Sequence, residues 1–524
     1  MKKTLYSIYA LVLTVLTLLC TGCQTGPDAP VITILHTNDT HSQIDPATYQ
    51  GKTSGGVVER AAMLEYFRSK TPDLLYFDAG DMIQGSPYFN IFKGELEILC
   101  MNQQDLIATT FGNHEFDNGL DALDSLYNKA KFPIISCNYH CENTVIAKHV
   151  KPHMIMKHNG VKIGITGVTV NPEGLIFNRN WEGITYEDPV TAINREAALL
   201  RQEGCDLVIV LSHVGYIVDD PGMDVRIASE SHDIDLIIGA HSHINIENGI
   251  SFPNQEGEPV FITQTGGKAN PIGFLEITMK RGSRYDNCKY SVDSISCCKL
   301  HPEDYDLTGY GQAMADFIKP YAESLSDQMN EVLGHAPVLM EKGKPQSLLG
   351  NFTSDALRIM GEQAYGKPMD LGVMNNGGLR NTMQDGDVTL GTLYNIFPFE
   401  NTLTILEMKG SDVLDLINSL AGKKLDAISG INVTLDLDGD RTYASSIKVG
   451  GKPVDPERIY YVATIDYLAE GNSGMSAMTK AVKTTDTGIL LRDAMIDYVK
   501  QLTAAGKEIT SAIDDRVIDR ANKK

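Results

Sequence analysis

The first half of the chain repeats one pattern, which begins with VITILHTND at residues 31–39: a short apolar run followed at once by polar residues that can bind a metal ion. The pattern returns in LLYFDAGD at 74–81, DLVIVLSH at 206–213 and DLIIGAHSH at 235–243. Amphipathic stretches separate these runs. Short apolar strands that alternate with helices are typical of an α/β domain and not of an all-α or all-β one. The sequence therefore predicts an α/β sandwich over residues 31–305.

A helical stretch at residues 306–333 divides the chain into two halves. Apolar residues recur there at spacings of three and four until Gly334 ends the pattern: Met314, Phe317, Ile318, Tyr321, Leu325, Met329 and Val332. A second mixed α/β segment follows at 334–524, with strand candidates in DLGVMNNGG (370–378), TLTILEMKG (402–410), INVTLDL (431–437) and IYYVATI (459–465). We therefore expect two α/β domains joined by a linker helix.

Length and composition agree with a multidomain globular protein. The chain has 524 residues, of which 42% are hydrophobic and 21% charged, so neither a disordered chain nor a polytopic membrane protein fits. There are 45 Lys and Arg against 67 Asp and Glu, which gives a net charge of −22. Such a field repels nucleic acid backbones, and no basic cluster offsets it. We expect no nucleic acid polymer among the partners.

The N-terminus has the pattern of an export signal. Lys2 and Lys3 precede an uncharged apolar run at residues 5–19, which is too short to span a membrane. The run ends in Cys20, Thr21, Gly22 and Cys23, which resembles a bacterial lipoprotein box, although Cys20 stands where Leu is usual. We therefore expect a signal peptide at 1–22 and a tether at 23–30. With Cys23 lipidated, the protein would be periplasmic or on the cell surface, anchored to the outer membrane.

Seven polar residues follow the apolar runs of the first half and are candidate metal ligands. They are Asp39, His41, Asp81, Asn113, His213, His241 and His243. Strand ends in an α/β sheet open onto one crevice, so we expect these side chains to converge. Nitrogen and oxygen donors suit Zn, Mn or similar divalent ions. If Asp81 bridges, the seven residues give two ions four contacts each, which is what a two-metal hydrolase needs.

Each of these residues also has an ordinary interpretation. An isolated His after a strand is usually structural, and Asp39 or Asp81 alone would more often cap a helix or a turn. Asn113, next to Gly112, could be a turn residue. Their joint occurrence favours the metal site.

Five blocks of the first half resemble the calcineurin-like metallophosphoesterase domain of the 5′-nucleotidase family, in that family's order. They are LHTNDTHS (35–42), FDAGDMIQGS (77–86), TTFGNHEFDNG (109–119), LSHVG (211–215) and GAHSH (239–243). The resemblance implies a four-layer αββα sandwich that binds two divalent metal ions.

The same resemblance divides the predicted ligands between the two ions. Asp81 bridges, Asp39, His41 and His243 complete one site, and Asn113, His213 and His241 complete the other. It also implies that His114 and Asp117 form a catalytic pair. A protonated His114 would stabilise charge on the phosphoryl group, and Asp117 would keep it charged. The alternative is that His114 is itself a ligand and Asp117 a helix N-cap.

Three blocks of the second half resemble the C-terminal 5′-nucleotidase domain. They are NNGGLR (375–380), NIFPFENTL (395–403) and ATIDYLAEGNSGMS (463–476). The resemblance implies that Asn375 and Arg380 contact the substrate, while Phe399 and Tyr467 stack on its base. Taken singly, each aromatic residue would more often be a core residue. Tyr467 replaces the usual Phe, and Ser473 replaces an acidic residue of the family's loop.

A further block, LLGNFTSDALR at 348–358, is similar to a helix start of the same domain, and this resemblance implies a helix that starts at Asn351. The whole pattern predicts an exported enzyme that hydrolyses nucleotide phosphomonoesters to a nucleoside and phosphate. The alternatives are a 2′,3′-cyclic-nucleotide phosphodiesterase, a UDP-sugar hydrolase, or a surface lipoprotein that binds nucleotides or other ligands without catalysis. Because the metal and base sites lie in different halves, we expect the halves to close for catalysis.

Overall fold

The computed structural model describes residues 29–49, 52–173, 175–176, 178–216, 224–268, 271–439 and 441–521. The expected signal peptide and the lipidation site Cys23 lie outside the described residues. Within the described ranges, no helix is both long enough and apolar enough to cross a membrane.

The described part of the first half contains two large sheets and three two-stranded ones. Its strands are β1 (Val31–Thr37), β2 (Ala47–Tyr49), β3 (Lys52–Ser54), β4 (Leu75–Asp78), β5 (Ile134–Ile135), β6 (Tyr139–His140), β7 (Val150–Lys151), β8 (His153–His158), β9 (Val161–Thr169), β10 (Thr185–Tyr186), β11 (Leu207–His213), β12 (Leu236–Gly239), β13 (Ile250–Pro253), β14 (Pro259–Thr263), β15 (Ile272–Arg281) and β16 (Tyr290–Leu300). One large sheet has the order β16-β15-β1-β4 and the other β13-β14-β12-β11-β9-β8, and the two-stranded sheets pair β2 with β3, β5 with β7 and β6 with β10. The pairs β1–β4, β9–β11 and β11–β12 are parallel, so their carboxyl ends lie at shared sheet edges.

Helices cover the outer faces of both large sheets. Those of the first half are α1 (Val57–Lys70), α2 (Pro87–Phe92), α3 (Glu95–Gln103), α4 (Gly119–Tyr127), α5 (Pro189–Gln202) and α6 (Asp224–Glu230). Ile34 of β1 and Ile209 of β11 belong to one buried cluster, so the sheets pack face to face. Helices α1, α3 and α4 pack on the smaller sheet, and α5 and α6 pack on the larger one. The predicted four-layer αββα order is confirmed.

The linker helix α7 (Gln312–Met329) is shorter than its predicted range. Val332 and Gly334, which were expected at its end, lie in strand β17 (Val332–Ala336), because that segment pairs with β19 (Gly386–Thr389). The apolar face of α7, including Met314 and Ile318, packs against α1, α2 and α3. The helix is therefore anchored on the first half of the molecule.

The second half is a mixed α/β domain with one large core. Its remaining strands are β18 (Leu371–Met374), β20 (Thr402–Lys409), β21 (Ala427–Ser429), β22 (Ile431–Asp438), β23 (Arg441–Val449), β24 (Lys452–Pro453), β25 (Ile459–Ile465), β26 (Lys483–Leu490) and β27 (Val517–Asp519), and its helices are α8 (Leu348–Tyr365), α9 (Leu390–Ile396), α10 (Gly410–Ala421), α11 (Asp466–Ala469) and α12 (Leu491–Ala504). The main sheet has the order β21-β18-β25-β20-β26 and a second has β24-β23-β22-β27.

One predicted helix start was wrong. The side chain of Ser347, not Asn351, caps α8, because its oxygen accepts from the Gly350 amide. Asn351 lies in the first turn and donates to the Ala512 carbonyl at 2.7 Å instead.

Candidate metal centre and substrate cavity

The loops after β1 and β4 run side by side and carry three of the predicted ligands. The amide of Asp39 donates to the Gly80 carbonyl at 2.9 Å, and the amide of His41 donates to the Asp81 carbonyl at 3.0 Å. Parallel pairing of β1 with β4 places these loops at one sheet edge. The two loops therefore bring Asp39, His41 and Asp81 together at one surface.

Backbone strain is concentrated on the predicted ligands. Five of the seven have a left-handed φ, which non-glycine residues rarely adopt: Asp39 (49°), His41 (45°), Asp81 (56°), His241 (69°) and His243 (54°). Such conformations cost on the order of 1–3 kcal/mol each and persist where the surrounding structure enforces them. This clustering is the pattern of a functional site.

The first group of donors comprises Asp39, His41 and His243. The Nε2 atoms of His41 and His243 face each other at 3.0 Å, and Asp39 Oδ1 lies 3.3 Å from Nε2 of His243. Asp81 Oδ2 is 3.8 Å from His41 Nε2. One atom of each of Asp39, His41 and His243 lies within 4.8 Å of the others, which is close enough for one ion.

The second group comprises Asp81, His213 and His241, whose donor atoms also lie within 4.8 Å of one another. His213 Nδ1 donates to the Ala79 carbonyl at 2.8 Å, which leaves Nε2 facing Asp81 Oδ2 at 3.2 Å. Asn113 Oδ1 is buried with no hydrogen-bond partner among the described residues. Asp81 belongs to the second group and also lies 3.8 Å from His41 of the first group, as a bridging carboxylate must.

These donors fit two divalent ions. Asn113 Oδ1 is a buried polar atom without a hydrogen bond among the described residues, which is costly unless a ligand occupies the space. Imidazole, carboxylate and amide donors suit Zn, Mn and related ions.

The ionisable side chains of the two groups shift one another's pKa values. Burial raises the pKa of Asp81, but the nearby His213 and His114 outweigh it and hold that pKa well below the usual value. Burial lowers the pKa of His213, yet Asp81 and Asp39 raise it to about 10. Burial and the charge of His213 lower the pKa of His241 to about 4. The protonated His213 and His114 thus balance the charge of Asp81.

Glu115 organises the site and was missed by the sequence reasoning. Its carboxylate is buried and accepts the amides of Gly112 at 2.6 Å, Met82 at 2.9 Å and Asp81 at 3.1 Å. It thus joins the Asp81 loop to the Asn113 loop. The block TTFGNHEFD contains Glu115, but nothing in its spacing distinguishes a carboxylate that binds amides from one that faces water.

His114 and Asp117 form a pair. Nδ1 of His114 lies 2.9 Å from Asp117 Oδ2. Burial lowers the pKa of His114, but Asp117 and Asp81 together raise it above its ordinary value. Asn118, not Asp117, occupies the N-cap position of α4. One nitrogen of His114 also lies within 4.8 Å of donor atoms of His41 and Asp81, so geometry alone permits a ligand role.

A cavity of about 530 Å³ between the two halves joins the metal residues to the predicted substrate residues. Its lining includes Asp81, Asn113, His114, Asp117, His241, His243, Asn375, Arg380, Phe399 and Tyr467. Asp39, His41 and His213 are buried immediately behind this surface. The structure therefore brings together every predicted site residue except Cys23, which it does not describe.

Contacts within the cavity connect the halves. Arg380 Nη2 lies 3.5 Å from His41 Nε2, and its guanidinium lies 5.6 Å from the Phe399 ring. Asn375 Nδ2 donates to Ser473 Oγ at 3.1 Å, so the residue that replaces the family's acidic one also faces the cavity. Phe397, by contrast, is a core residue.

The loop that contains Leu175, Ile176, Arg179 and Asn180 lines the same cavity. These residues belong to the first half, and the sequence reasoning did not select them. No motif marks them, because only the folded position of their loop brings them to the cavity.

Comparisons with known proteins agree with this geometry. The model of the calcineurin-like phosphoesterase family matches residues 32–245, and the 5′-nucleotidase C-terminal domain matches residues 332–480. The 5′-nucleotidase of Vibrio cholerae is 25% identical over 91% of this chain and 93% of its own. The trifunctional nucleotide phosphoesterase YfkN of Bacillus subtilis is 24% identical over 94% of this chain, which spans 36% of that longer protein.

The fold is also that of a solved structure. The 5′-nucleotidase precursor of Thermus thermophilus superposes with a TM-score of 0.83 at 24% identity, covering 94% of this chain and 100% of that one.

The fold and the site define a metal-dependent phosphoric ester hydrolase with two divalent metal ions as cofactors. The expectation of an enzyme is confirmed, and a binding lipoprotein without catalysis is set aside. Within that class, the chain belongs to the 5′-nucleotidase family.

Proposed function

We propose that the protein hydrolyses nucleotide phosphomonoesters to a nucleoside and inorganic phosphate. The observation that carries the proposal is the single cavity, which has the metal residues on one wall and Phe399 and Tyr467 on the other. Its volume of about 530 Å³ suits a small-molecule ligand. The names of the Vibrio cholerae and Thermus thermophilus relatives support a nucleotide as substrate.

Each proposed role follows from the position of a side chain. Asp39, His41, Asp81, Asn113, His213, His241 and His243 would hold the two ions. When bound, these ions supply Lewis acidity that activates water and neutralises phosphoryl charge.

Five other residues would contact the substrate or orient a residue that does. His114, kept protonated by Asp117, donates to the phosphoryl oxygens as their charge grows. Arg380 neutralises the same group, and its planar guanidinium suits two phosphate oxygens. Phe399 and Tyr467 hold the base, so that binding energy far from phosphorus positions the ester.

Phosphate release across a substrate panel tests the proposal. The purified chain, stripped of metal and reconstituted ion by ion, should release phosphate from AMP faster than from 2′,3′-cyclic AMP or UDP-glucose. A higher kcat/KM on the cyclic nucleotide or the UDP-sugar would replace the proposal with the corresponding diesterase or sugar-nucleotide hydrolase. No release from any of them would overturn it.

The division of labour between the halves is a further part of the proposal. Residues 31–305 would carry the catalytic domain, 306–333 the connection and 334–524 the substrate-binding domain. Closure of the halves would be needed for turnover. An engineered disulfide that locks the halves apart should abolish phosphate release, and unchanged turnover would argue against closure.

We also propose export and a lipid anchor at Cys23, which rest on the sequence pattern of residues 1–30. The native protein should fractionate with membranes and incorporate labelled palmitate. A Cys23→Ala variant should lose the label and become soluble after export. Equal labelling of both forms would rule out Cys23 as the lipidated residue.

A further inference from the structure

Helix α2 of the first half holds the segment of the second half that carries Phe399. The Nδ2 of Asn90 donates to the Pro398 carbonyl at 2.5 Å, and the ammonium of Lys93 pairs with the Glu400 carboxylate. These two contacts cross the boundary between the halves and flank Phe399 on both sides. The ring between them lies 5.7 Å from the imidazole of His114.

The segment is also held from its own half. Arg492 is buried and donates from Nη1 to the carbonyls of Phe397 and Pro398 at 3.4 and 3.3 Å. Its guanidinium stacks 4.3 Å from the ring of Tyr394. Pro398 therefore accepts hydrogen bonds from both halves through one carbonyl. Arg492 fixes the segment within the second half, whereas the contacts of Asn90 and Lys93 tie it to the first half.

Helix α2 is itself fixed to the metal side of the cavity. At its start, the hydroxyl of Ser86 lies 2.6 Å from that of Ser42, which directly follows the predicted ligand His41. Near its end, Phe92 packs edge-on against Tyr321 of the linker helix at 5.1 Å. The helix therefore connects the rim of the metal centre to the segment that carries Phe399.

We propose that Asn90 and Lys93 are positioning residues that place Phe399 over the cavity when the halves meet. Neither residue lines the cavity, so neither is proposed to touch the substrate. Asn90 is 5% exposed, and the Pro398 carbonyl is the partner of its amide, so separating the halves would leave a polar group to be satisfied elsewhere. Lys93 and Glu400 are 50% and 40% exposed, so their ion pair contributes little binding free energy between the halves. Its main effect is to orient the segment that carries Phe399.

The inference rests on the proposed function in one respect: Phe399 must contact the base of a nucleotide. The experiment therefore compares AMP with ribose 5-phosphate, which has the same kind of ester but no base. Asn90→Ala should raise KM for AMP about tenfold, the cost of a lost buried hydrogen bond. It should change kcat/KM for ribose 5-phosphate less than about twofold, because that substrate gains nothing from Phe399.

A matched control separates positioning from general damage. Asn102→Ala, on α3, removes a contact of the same kind, since Asn102 Nδ2 donates to the Lys129 carbonyl at 2.8 Å within the first half. Asn102 Oδ1 also accepts from the Lys131 amide at 2.7 Å, so this control removes more hydrogen bonding than Asn90→Ala does. It should leave KM for AMP unchanged.

The ion pair is tested by exchange of charges. Lys93→Glu and Glu400→Lys should each raise KM for AMP by about two- to fivefold, as expected for an exposed pair. Because Glu400 lines the cavity, the decisive variant is the double exchange, which should restore KM. The corresponding exchange of Lys129 with Glu95, an ion pair of similar exposure inside the first half, should have no effect on KM.

Hydrogen exchange of the peptide covering 397–401 gives a readout that needs no activity. Asn90→Ala should speed exchange there, while Asn102→Ala should not. Equal losses on both substrates, no change on either, or unchanged exchange would overturn the inference. If the wild type releases no phosphate from AMP, the proposed function fails, and faster exchange would still support the contact.

Discussion

The imidazole of His114 and the ring of Phe399 lie with their centroids 5.7 Å apart and their planes 31° from parallel. His114 belongs to the first half and Phe399 to the second. The contact therefore joins the proposed proton donor to the ring that is proposed to stack on the nucleobase. Both rings line the adjoining cavity, so a ligand that fills it contacts both halves at once.

Replacing Phe399 should weaken nucleotide binding selectively. Phe399→Leu keeps an apolar side chain but removes the ring face, and stacking on a base contributes about 1–3 kcal/mol. KM for AMP should rise about five- to a hundredfold, while kinetics on ribose 5-phosphate stay nearly constant. Tyr443→Leu, at an exposed aromatic residue of β23, is the control and should change neither. Equal effects on both substrates would refute a role in base recognition.

His114→Asn should lower kcat by about 10²–10⁴, the usual range for a lost general acid. If His114 acts on the substrate, the metal content of the purified variant should equal that of the wild type. Loss of one ion would show that His114 is a ligand. His149→Asn removes a comparable pair, His149 Nε2 with Asp124 Oδ1 at 2.8 Å, and should leave kcat unchanged.

Chelation should abolish phosphate release, and Zn or Mn should restore it. The melting temperature should fall at the same time, because the bound ions favour the folded state and offset the buried carboxylates. Asp81→Asn should lower the content of both ions, since Asp81 lies beside both donor groups. Retention of one ion at full occupancy would contradict a bridging role.

Three of the predicted metal ligands share one property: each lies at or just after the end of an apolar strand within a recognisable block. Asp39, Asp81 and His213 could be found because strand ends converge in an α/β sheet. Glu115 and Asn90 could not, because their roles depend on which amide or carbonyl the fold places beside them. Val332 was assigned to a helix because spacing cannot show that β19 will pair with its segment.

Glu97 should make stability depend on pH. Its carboxyl is buried and accepts from Ser42, and burial raises its pKa to about 7 from the ordinary 4.5. The folded state therefore binds this proton more tightly than the unfolded state. The resulting stabilisation is complete below about pH 4.5 and is lost as pH rises through about 7, by an amount on the order of 3 kcal/mol.

Glu97→Gln should flatten this dependence, since the amide stays neutral. Melting temperatures at pH 5 and pH 7.5 should differ less in the variant than in the wild type. Glu95→Gln, an exposed neighbour on α3, should retain the wild-type slope. Parallel pH profiles for Glu97→Gln and the wild type would contradict the assignment.

Gly112 has no space for a side chain beside the metal centre. A Cβ there would lie 2.1 Å from Asp81 Oδ1 and 2.5 Å from the Asp81 amide nitrogen. The amide of Gly112 also donates to Glu115, so the backbone cannot move away without breaking that bond. Gly112→Ala should therefore displace Asp81 and lower metal affinity about 10- to 100-fold, as altered ligand support does in metal sites.

The Gly112 variant should keep its far-ultraviolet circular dichroism, because the glycine lies in a loop and not in a sheet. Metal titration of the stripped protein measures the affinity directly. Gly422→Ala, where a Cβ meets only the Ser419 carbonyl at 3.5 Å, is the matched control and should titrate like the wild type. Wild-type metal affinity in Gly112→Ala would mean that the Asp81 loop adapts, and that the strained backbone at Asp81 is not required for binding.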